Sequence, residues 1–453
     1  MALEGLNIDQ ENPAFFQAAT DVAHGKNVFL TGEAGTGKTT FLHYIVKFLK
    51  EELERNVVVV APTGVAAVNA GGRTIHGFFR LPLRPLLTTD PVFSWPQEGA
   101  AKDQPNIFNS FRYTREHLDV LEEMETLVID EVSMVRCDVL QALDRLLRVF
   151  RKRHHEPFGG VQVVLIGDAF QLPPVVPASE EFILNTEFPT RFFFGTKAFQ
   201  EGNFQAHILT KLYRQTDPEF ISLLNRVRQG TTTVADVSKL HARMQLPIDR
   251  TGYIHLVTHR KIALEINERH LAQIHEPLHT FEATITGDFP RSLYPMAATV
   301  ELKEGAQVIA LRNDWRKGIY NGMTGVVKEI GNCRIRVNFQ TKSGDRLIDI
   351  ETVTWENNEY SIKDGKVVTE VKGTFSQFPL ALAWAITVHK SQGLTFDKVI
   401  VDLVGSFDFG QEYVALSRCT SMDHLFLRSR IRPERMGPHP RVNQFYARVF
   451  GAA

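Results

Sequence analysis

The stretch Gly32-Glu33-Ala34-Gly35-Thr36-Gly37-Lys38-Thr39 matches the spacing GxxxxGK[ST] without a mismatch. Glycines at this spacing let consecutive backbone N–H groups converge on phosphate oxygens, more compactly than side chains could. Lys38 supplies a point charge for the β and γ phosphates, and the Thr39 hydroxyl is a ligand for Mg²⁺. Gly35, Thr36, Gly37 and Thr40 complete the cradle, and a helix starting there adds its positive N-terminal end. ATP with Mg²⁺ is the expected ligand. Two further groups close apolar runs. Asp130-Glu131 ends TLVID, where Asp130 is placed to hold the magnesium and Glu131 to orient and polarise an attacking water. Gly167-Asp168-Ala169-Phe170-Gln171 ends VQVVLIG in the same way. The Gln171 amide can donate to a γ-phosphate or accept from the water. Adjacent acids are ordinarily only solvated; beside a phosphate loop and at a strand end, the catalytic reading prevails.

These groups need a scaffold. NVFLT (27–31), VVVVA (57–61), TLVID (126–130) and VQVVLIG (161–167) read as strands apolar on both faces. Stripes through 38–53 and 139–150 have helical period. Alternation of the two predicts an α/β fold with a mostly parallel sheet covered on both sides. Residues 77–115 break the rhythm with Pro82, Pro85, Pro91, Pro96 and Pro105 among many aromatic rings, an irregular insertion. A second α/β core is expected from about 186 to 453, after a first core over 1–185. Within the second, short alternating runs between about 301 and 374, parted by Asn321-Gly322, Gly331-Asn332 and Ser343-Gly344, predict a small antiparallel sheet or barrel.

A chain of 453 residues accommodates two to three such units. No apolar stretch has the length of a membrane span, and the start MALEGLNIDQ lacks a secretory pattern, so an intracellular protein is expected. Cys137, Cys333 and Cys419 are too scattered for a disulfide framework or a zinc site. The net charge of −1 argues against a nucleic-acid binder. The charge is uneven, however. Arg428, Arg430, Arg432, Arg435, Arg441 and Arg448 crowd the tail, and Arg148, Arg151, Lys152 and Arg153 form another basic run. Binding depends on local field rather than on the sum, although a solvated surface explains either run as well.

Taken together, TGEAGTGKTT (31–40), APTGVAA (61–67), TIHGFF (74–79), VIDEVSM (128–134), PFGGVQVVLIGDAFQLPPV (157–175), LTKLYRQ (209–215), AWAITVHKSQGLTFDKV (383–399) and YVALSRC (413–419) resemble superfamily-one DNA helicases of the PIF (petite integration frequency) branch. The resemblance implies two RecD/RecA-like P-loop cores, with an SH3-like barrel inserted in the second and a wedge-like insertion at 77–115. It implies that Arg214 and Arg418 reach the γ-phosphate from the second core, and that Gln392, Gly393 and Glu412 line the same cleft. An adenine-reading glutamine is expected upstream of the loop, with Gln17 the candidate and Gln10 left open. Strand contacts are expected from Pro62, Thr63, Gly64, His76 and Phe78 in the first core. Thr387, His389, Lys390 and Ser391 are expected to contribute from the second. Core packing competes for Phe78, and a structural histidine for His389. The implied activity is ATP-dependent, 5′-to-3′ translocation on single-stranded DNA. Single-strand/duplex junctions, G-quadruplexes and RNA–DNA hybrids are the implied substrates. The implied protein is a monomer, or a dimer on DNA, in a bacterial cytoplasm. The rival readings are a nucleic-acid-stimulated ATPase switch without processive unwinding, and a binding module with a vestigial site.

Overall fold

The computed structural model describes residues 12–96, 103–215, 217–245, 251–314, 316–341, 344–406 and 408–451. The apolar runs form strands because β-branched side chains suit a pleated surface covered on both faces. Strands β1 (Val28–Gly32), β2 (Val57–Ala61), β3 (Arg73–Thr74), β4 (Thr126–Ile129), β5 (Gln162–Ile166) and β6 (Gln205–Leu209) make one parallel sheet, in the order β3-β2-β4-β5-β1-β6. Alternate residues of each strand face opposite sides. Val28, Leu30, Val128 and Val164 pack with Phe41, Leu42 and Ile45 of the helix Lys38–Lys47. Phe29, Leu127, Ile129, Val163 and Leu165 pack with Leu140, Leu143, Leu146 and Leu147 of the helix Cys137–Phe150. Because β5 lies between β1 and β4, the chain leaving it emerges between the phosphate loop and the Asp130-Glu131 pair.

β6 moves the expected boundary between the cores. It pairs with β1 from Val28 opposite Gln205 to Gly32 opposite Leu209, so the first core extends past 185 to Leu209. The C-terminal helix Pro440–Phe450 also returns to the first core, burying Val442, Phe445 and Tyr446 there. Phe445 stacks on Phe194 with ring centres 4.2 Å apart. The second core is therefore shorter at both ends than 186–453. β7 (Ile254–Val257) lies in its parallel sheet with Ala385–Thr387, Val399–Asp402 and Leu425–Leu427.

The expected antiparallel unit is a five-stranded sheet of Gln307–Ala310, Thr324–Ile330, Ile335–Thr341, Gly344–Ile350 and Leu380–Leu382, reaching beyond 374. A long hairpin, Val353–Lys363 with Lys366–Gln377, extends from it to the first core. There the Tyr360 hydroxyl accepts from Val59 N–H at 3.0 Å, and the Asn56 side-chain carbonyl accepts from Val367 N–H at 2.7 Å. β3 pairs only with Val60 and Ala61, so Tyr360 occupies the edge that β3 leaves open on β2. No helix among the described residues is long and apolar enough to cross a membrane.

A candidate nucleotide site between the two cores

Gly35 and Gly37 hold φ of 87° and 90°, the left-handed region that glycine adopts without strain. Gly35 has a second constraint, because a Cβ there would lie 2.6 Å from the Cβ of Arg214. Lys38 Nζ donates to the carbonyls of Gly32 and Glu33, 2.8 Å each, and burial lowers its pKa. The Thr36 hydroxyl donates back to Glu33 O at 2.9 Å, closing the turn. Thr39 and Thr40 lie exposed on the first helical turn, at its positive end.

The acids stand across β5 from this loop. Glu131 has φ 49° and ψ 44°, a left-handed conformation that costs a non-glycine residue about 1–3 kcal/mol and is typical of functional turns. Gly167 makes room for that turn, since a Cβ there would meet Val132 N at 2.8 Å. Burial, and then the charge of Glu131, push Asp130 up to about 7; burial raises Glu131 as well. Two desolvated carboxylates side by side fit a cation, and Asp130 with the Thr39 hydroxyl is the oxygen pair suited to Mg²⁺.

The second core closes the cleft. Gln392 Nε2 donates to Glu131 Oε2 at 2.9 Å. Arg214 donates to Ser417 O at 3.3 Å and Gly393 O at 3.4 Å. Arg418, 1% exposed, donates to Val414 O at 2.9 Å, Ser417 Oγ at 3.0 Å, Leu394 O at 3.3 Å and Ser391 O at 3.4 Å. Neither arginine is ion-paired among the described residues. Burial brings Arg214 down to about 9, aided by the charge of Arg418, and burial brings Arg418 down to about 10. Two cations whose hydrogen-bond acceptors are all neutral, carbonyls and one hydroxyl, form a site short of an anion.

Other expectations are revised. Glu412 does not face the loop; it is buried and accepts from Ser406 Oγ at 2.9 Å. Its neighbour Tyr413 reaches the loop instead, its hydroxyl accepting from Ala34 N–H at 3.2 Å. Sequence reasoning misses Tyr413, although it opens the motif YVALSRC and stands beside Glu412. Also missed were Asn225 and Arg228 of the helix Pro218–Gln229, which reach Glu33 and Asp168. Gln17 lies on the exposed side of the helix Pro13–Ala23, opposite Phe15, Ala18 and Val22, and Gln10 lies outside the described residues.

On the strand side, Pro62, Thr63 and Gly64 lie half-buried at the end of β2, with the Thr63 hydroxyl capping the next helix at Ala66 N–H, 3.2 Å. The segment Arg291–Leu293 abuts Gly64, where a Cβ would stand 3.0 Å from Ser292 O. His76 and His389 are half-buried, and burial lowers the pKa of each. Lys390 is exposed, and its N–H donates to the Thr387 hydroxyl at 3.3 Å. Ser391 is wholly buried with its hydroxyl donating to Val388 O, so its side chain faces away from any strand. Phe78 is likewise removed from the surface. It is 1% exposed and packs edge-on against Phe79 and Tyr360, while Trp95 and Phe108 are the exposed rings of the insertion. Phe78→Ala is expected to cost about 3–5 kcal/mol of stability, read as a lower denaturation midpoint, with strand affinity of the folded fraction unchanged. Weakened strand binding at an unchanged midpoint would return Phe78 to the interface.

The chain matches the family model described as PIF1-like helicase over residues 5–238. It is 33% identical to the Xenopus laevis ATP-dependent DNA helicase PIF1, over 94% of this chain and 62% of that protein. The chain thus spans about three fifths of the length of that curated relative. A crystal structure of Bacteroides sp Pif1 in complex with ADP-AlF4 is 38% identical, with 96% of each chain covered and a TM-score of 0.85. Bacteroides Pif1 bound to ssDNA, 39% identical over 96% of each chain, superposes with a TM-score of 0.65. Unliganded Bacteroides sp Pif1 superposes with a TM-score of 0.85 as well, so the likeness is greater to these two structures than to the ssDNA complex. The phosphate loop, the acid pair and the facing arginines thus sit in a chain that belongs to the PIF1-like helicase family.

Proposed function

We propose that this chain is an ATP-driven motor that tracks along single-stranded DNA and separates duplexes. The observation that carries the reading is the composite cleft: phosphate loop and acids from one core, Arg214, Arg418 and Gln392 from the other. In this reading Lys38 and the loop amides hold the phosphates, and Glu131 orients and deprotonates the attacking water. Gln171 contacts the γ-phosphate or that water. Mg²⁺, held by Asp130 and Thr39, would neutralise charge on the phosphates. Arg214 and Arg418 trade their carbonyl partners for phosphate oxygens, which ties hydrolysis to closure of the cleft. Alternating closure would shift the grip on DNA between the Pro62–Gly64 loop with His76 and the Thr387–Lys390 turn. Contacts of that kind go to phosphate and sugar and read no sequence.

We further infer 5′-to-3′ movement and activity on forks, G-quadruplexes and RNA–DNA hybrids, by a monomer or a dimer on DNA in a bacterial cytoplasm, as the motif resemblance implies. Measuring ATPase with and without single strands, then unwinding of 5′- and 3′-tailed duplexes, tests the reading. We expect strand-stimulated turnover and unwinding from the 5′ tail. Unwinding only from a 3′ tail reverses the polarity, and stimulated turnover without unwinding from either end favours an ATPase switch.

A further inference from the structure

The loop after β5 carries Gln171, yet the second core grips it. Leu172 is buried in the second core's apolar cluster with Phe220, Leu223 and Leu256. A Cβ on Gly410 would stand 2.6 Å from Gln171 O, so that glycine lets the second core abut the loop's backbone. A charged tie among the described residues is Arg228, from the helix Pro218–Gln229. Its Nη2 donates to Asp168 Oδ1 at 3.0 Å and its Nε to Oδ2 at 3.4 Å. Asp168 has no exposure. Its Oδ2 also accepts from Gln171 Nε2 at 3.4 Å, and its Oδ1 from Phe170 N–H at 3.2 Å. One carboxylate therefore holds the candidate phosphate-sensing amide and an arginine of the opposite core at once.

The surroundings fix that arginine. Its guanidinium lies 4.0 Å from the centre of the Phe170 ring. Tyr446 of the C-terminal helix packs on the same ring at 4.4 Å and shares a hydrogen bond with Thr31 Oγ1, 2.5 Å, at the root of the phosphate loop. A planar fork that cannot lose its proton suits such a stacked, bidentate post; lysine does not. Arg214 and Arg418 face only neutral acceptors and are free to turn to phosphate, whereas Arg228 is neutralised where it stands. A buried ion pair adds little net stability over well-packed apolar residues, so stability alone does not account for it.

We propose that Arg228 is a positioning residue for nucleotide turnover: through Asp168 it sets the register of Gln171 against the γ-phosphate position and ties that register to the second core. The inference rests on the reading of Gln171 given above. As positioning errors of about 1 Å can cost on the order of 100-fold in rate, Arg228→Met is expected to lower strand-stimulated kcat by roughly 10- to 100-fold with KM for ATP within about threefold. Arg228→Lys should recover only part of that loss.

Two double variants separate positioning from folding. Arg228→Met with Asp168→Asn removes the stranded carboxylate, so the denaturation midpoint should recover while kcat stays low. Recovery of kcat along with the midpoint would make Arg228 merely structural and overturn the proposal. Arg228→Met with Gln171→Ala should turn over no slower than Gln171→Ala alone, because both act through one amide. Losses that multiply, or wild-type kcat in Arg228→Met, overturn it as well. Wild-type kcat in Gln171→Ala would instead remove the reading of Gln171, and the route proposed through it falls at the same step.

Discussion

Glu131→Gln is expected to bind nucleotide as the wild type does and to lose strand-stimulated ATPase by on the order of 10²- to 10⁴-fold, the usual worth of a positioned general base. That range corresponds to about 3–5 kcal/mol of barrier. The exchange keeps size and planarity, so the left-handed turn at Glu131, with the space Gly167 leaves for it, survives. Gln392 keeps an acceptor, because its amide can donate to an amide carbonyl as it does to the carboxylate. What disappears is the negative charge and its capacity to take a proton. Loss of the charge also relieves Asp130, whose carboxyl is raised by burial and then by Glu131. The variant should therefore be no less stable than the parent, which separates a chemical defect from a folding one. Full turnover in Glu131→Gln, measured at saturating ATP and strand, would remove Glu131 from the reaction. Lys38→Ala should differ in kind: with the loop's only side-chain cation gone, affinity for ATP should fall together with rate.

Parallel strands buried on both faces appear in sequence as unbroken apolar runs, and those of the first core stood out for that reason. The acids and Gln171 could be placed because each follows such a run. β6 has no comparable signal: QAHIL is an edge strand whose first four residues are half-buried. The fold assigns it to the first core only by pairing it with β1, nearly two hundred residues upstream. Arg228 was illegible for a related reason. An arginine on an amphipathic helix reads as solvated, and only the meeting of two cores brings it 3.0 Å from Asp168. Within a motif, spacing says which residues matter but not which way each points. QEYVALSR places a helix against the loop, but the turn of that helix presents Tyr413 rather than Glu412. HKSQG sends Gln392 to Glu131 while turning Ser391 inward. In TIHGFF the helix Ile75–Phe79 buries Phe78 and Phe79 and leaves His76 half-exposed.

Arg214→Ala is expected to lower strand-stimulated kcat by on the order of 10³-fold or more, the range found for arginines that stabilise a transferring phosphoryl group. Affinity for ATP should change far less, because the loop amides and Lys38 supply the ground-state contacts. In this structure the Arg214 guanidinium spends its donors on two long bonds to carbonyls, 3.3 and 3.4 Å, and burial holds its pKa near 9. A half-buried cation with neutral partners is costly to keep, and a γ-phosphate turns that cost into attraction. Arg418 has the same deficit but is bound more tightly, to the helix Gln411–Leu416 that precedes it, with Val414 O at 2.9 Å. Arg418→Ala should therefore lose both stability and rate, since the carbonyls it satisfies would be left buried. Arg418→Lys keeps a donor and a charge but not the fork, and is the cleaner reading of its chemistry. If the two arginines brace one group, Arg214→Ala combined with Arg418→Lys should be slower than either alone by much less than the product of their effects. Turnover within about threefold of wild type in Arg214→Ala would mean that closure of the cleft does not bring this guanidinium to the phosphate. The composite site would then have to be redrawn around Arg418 alone.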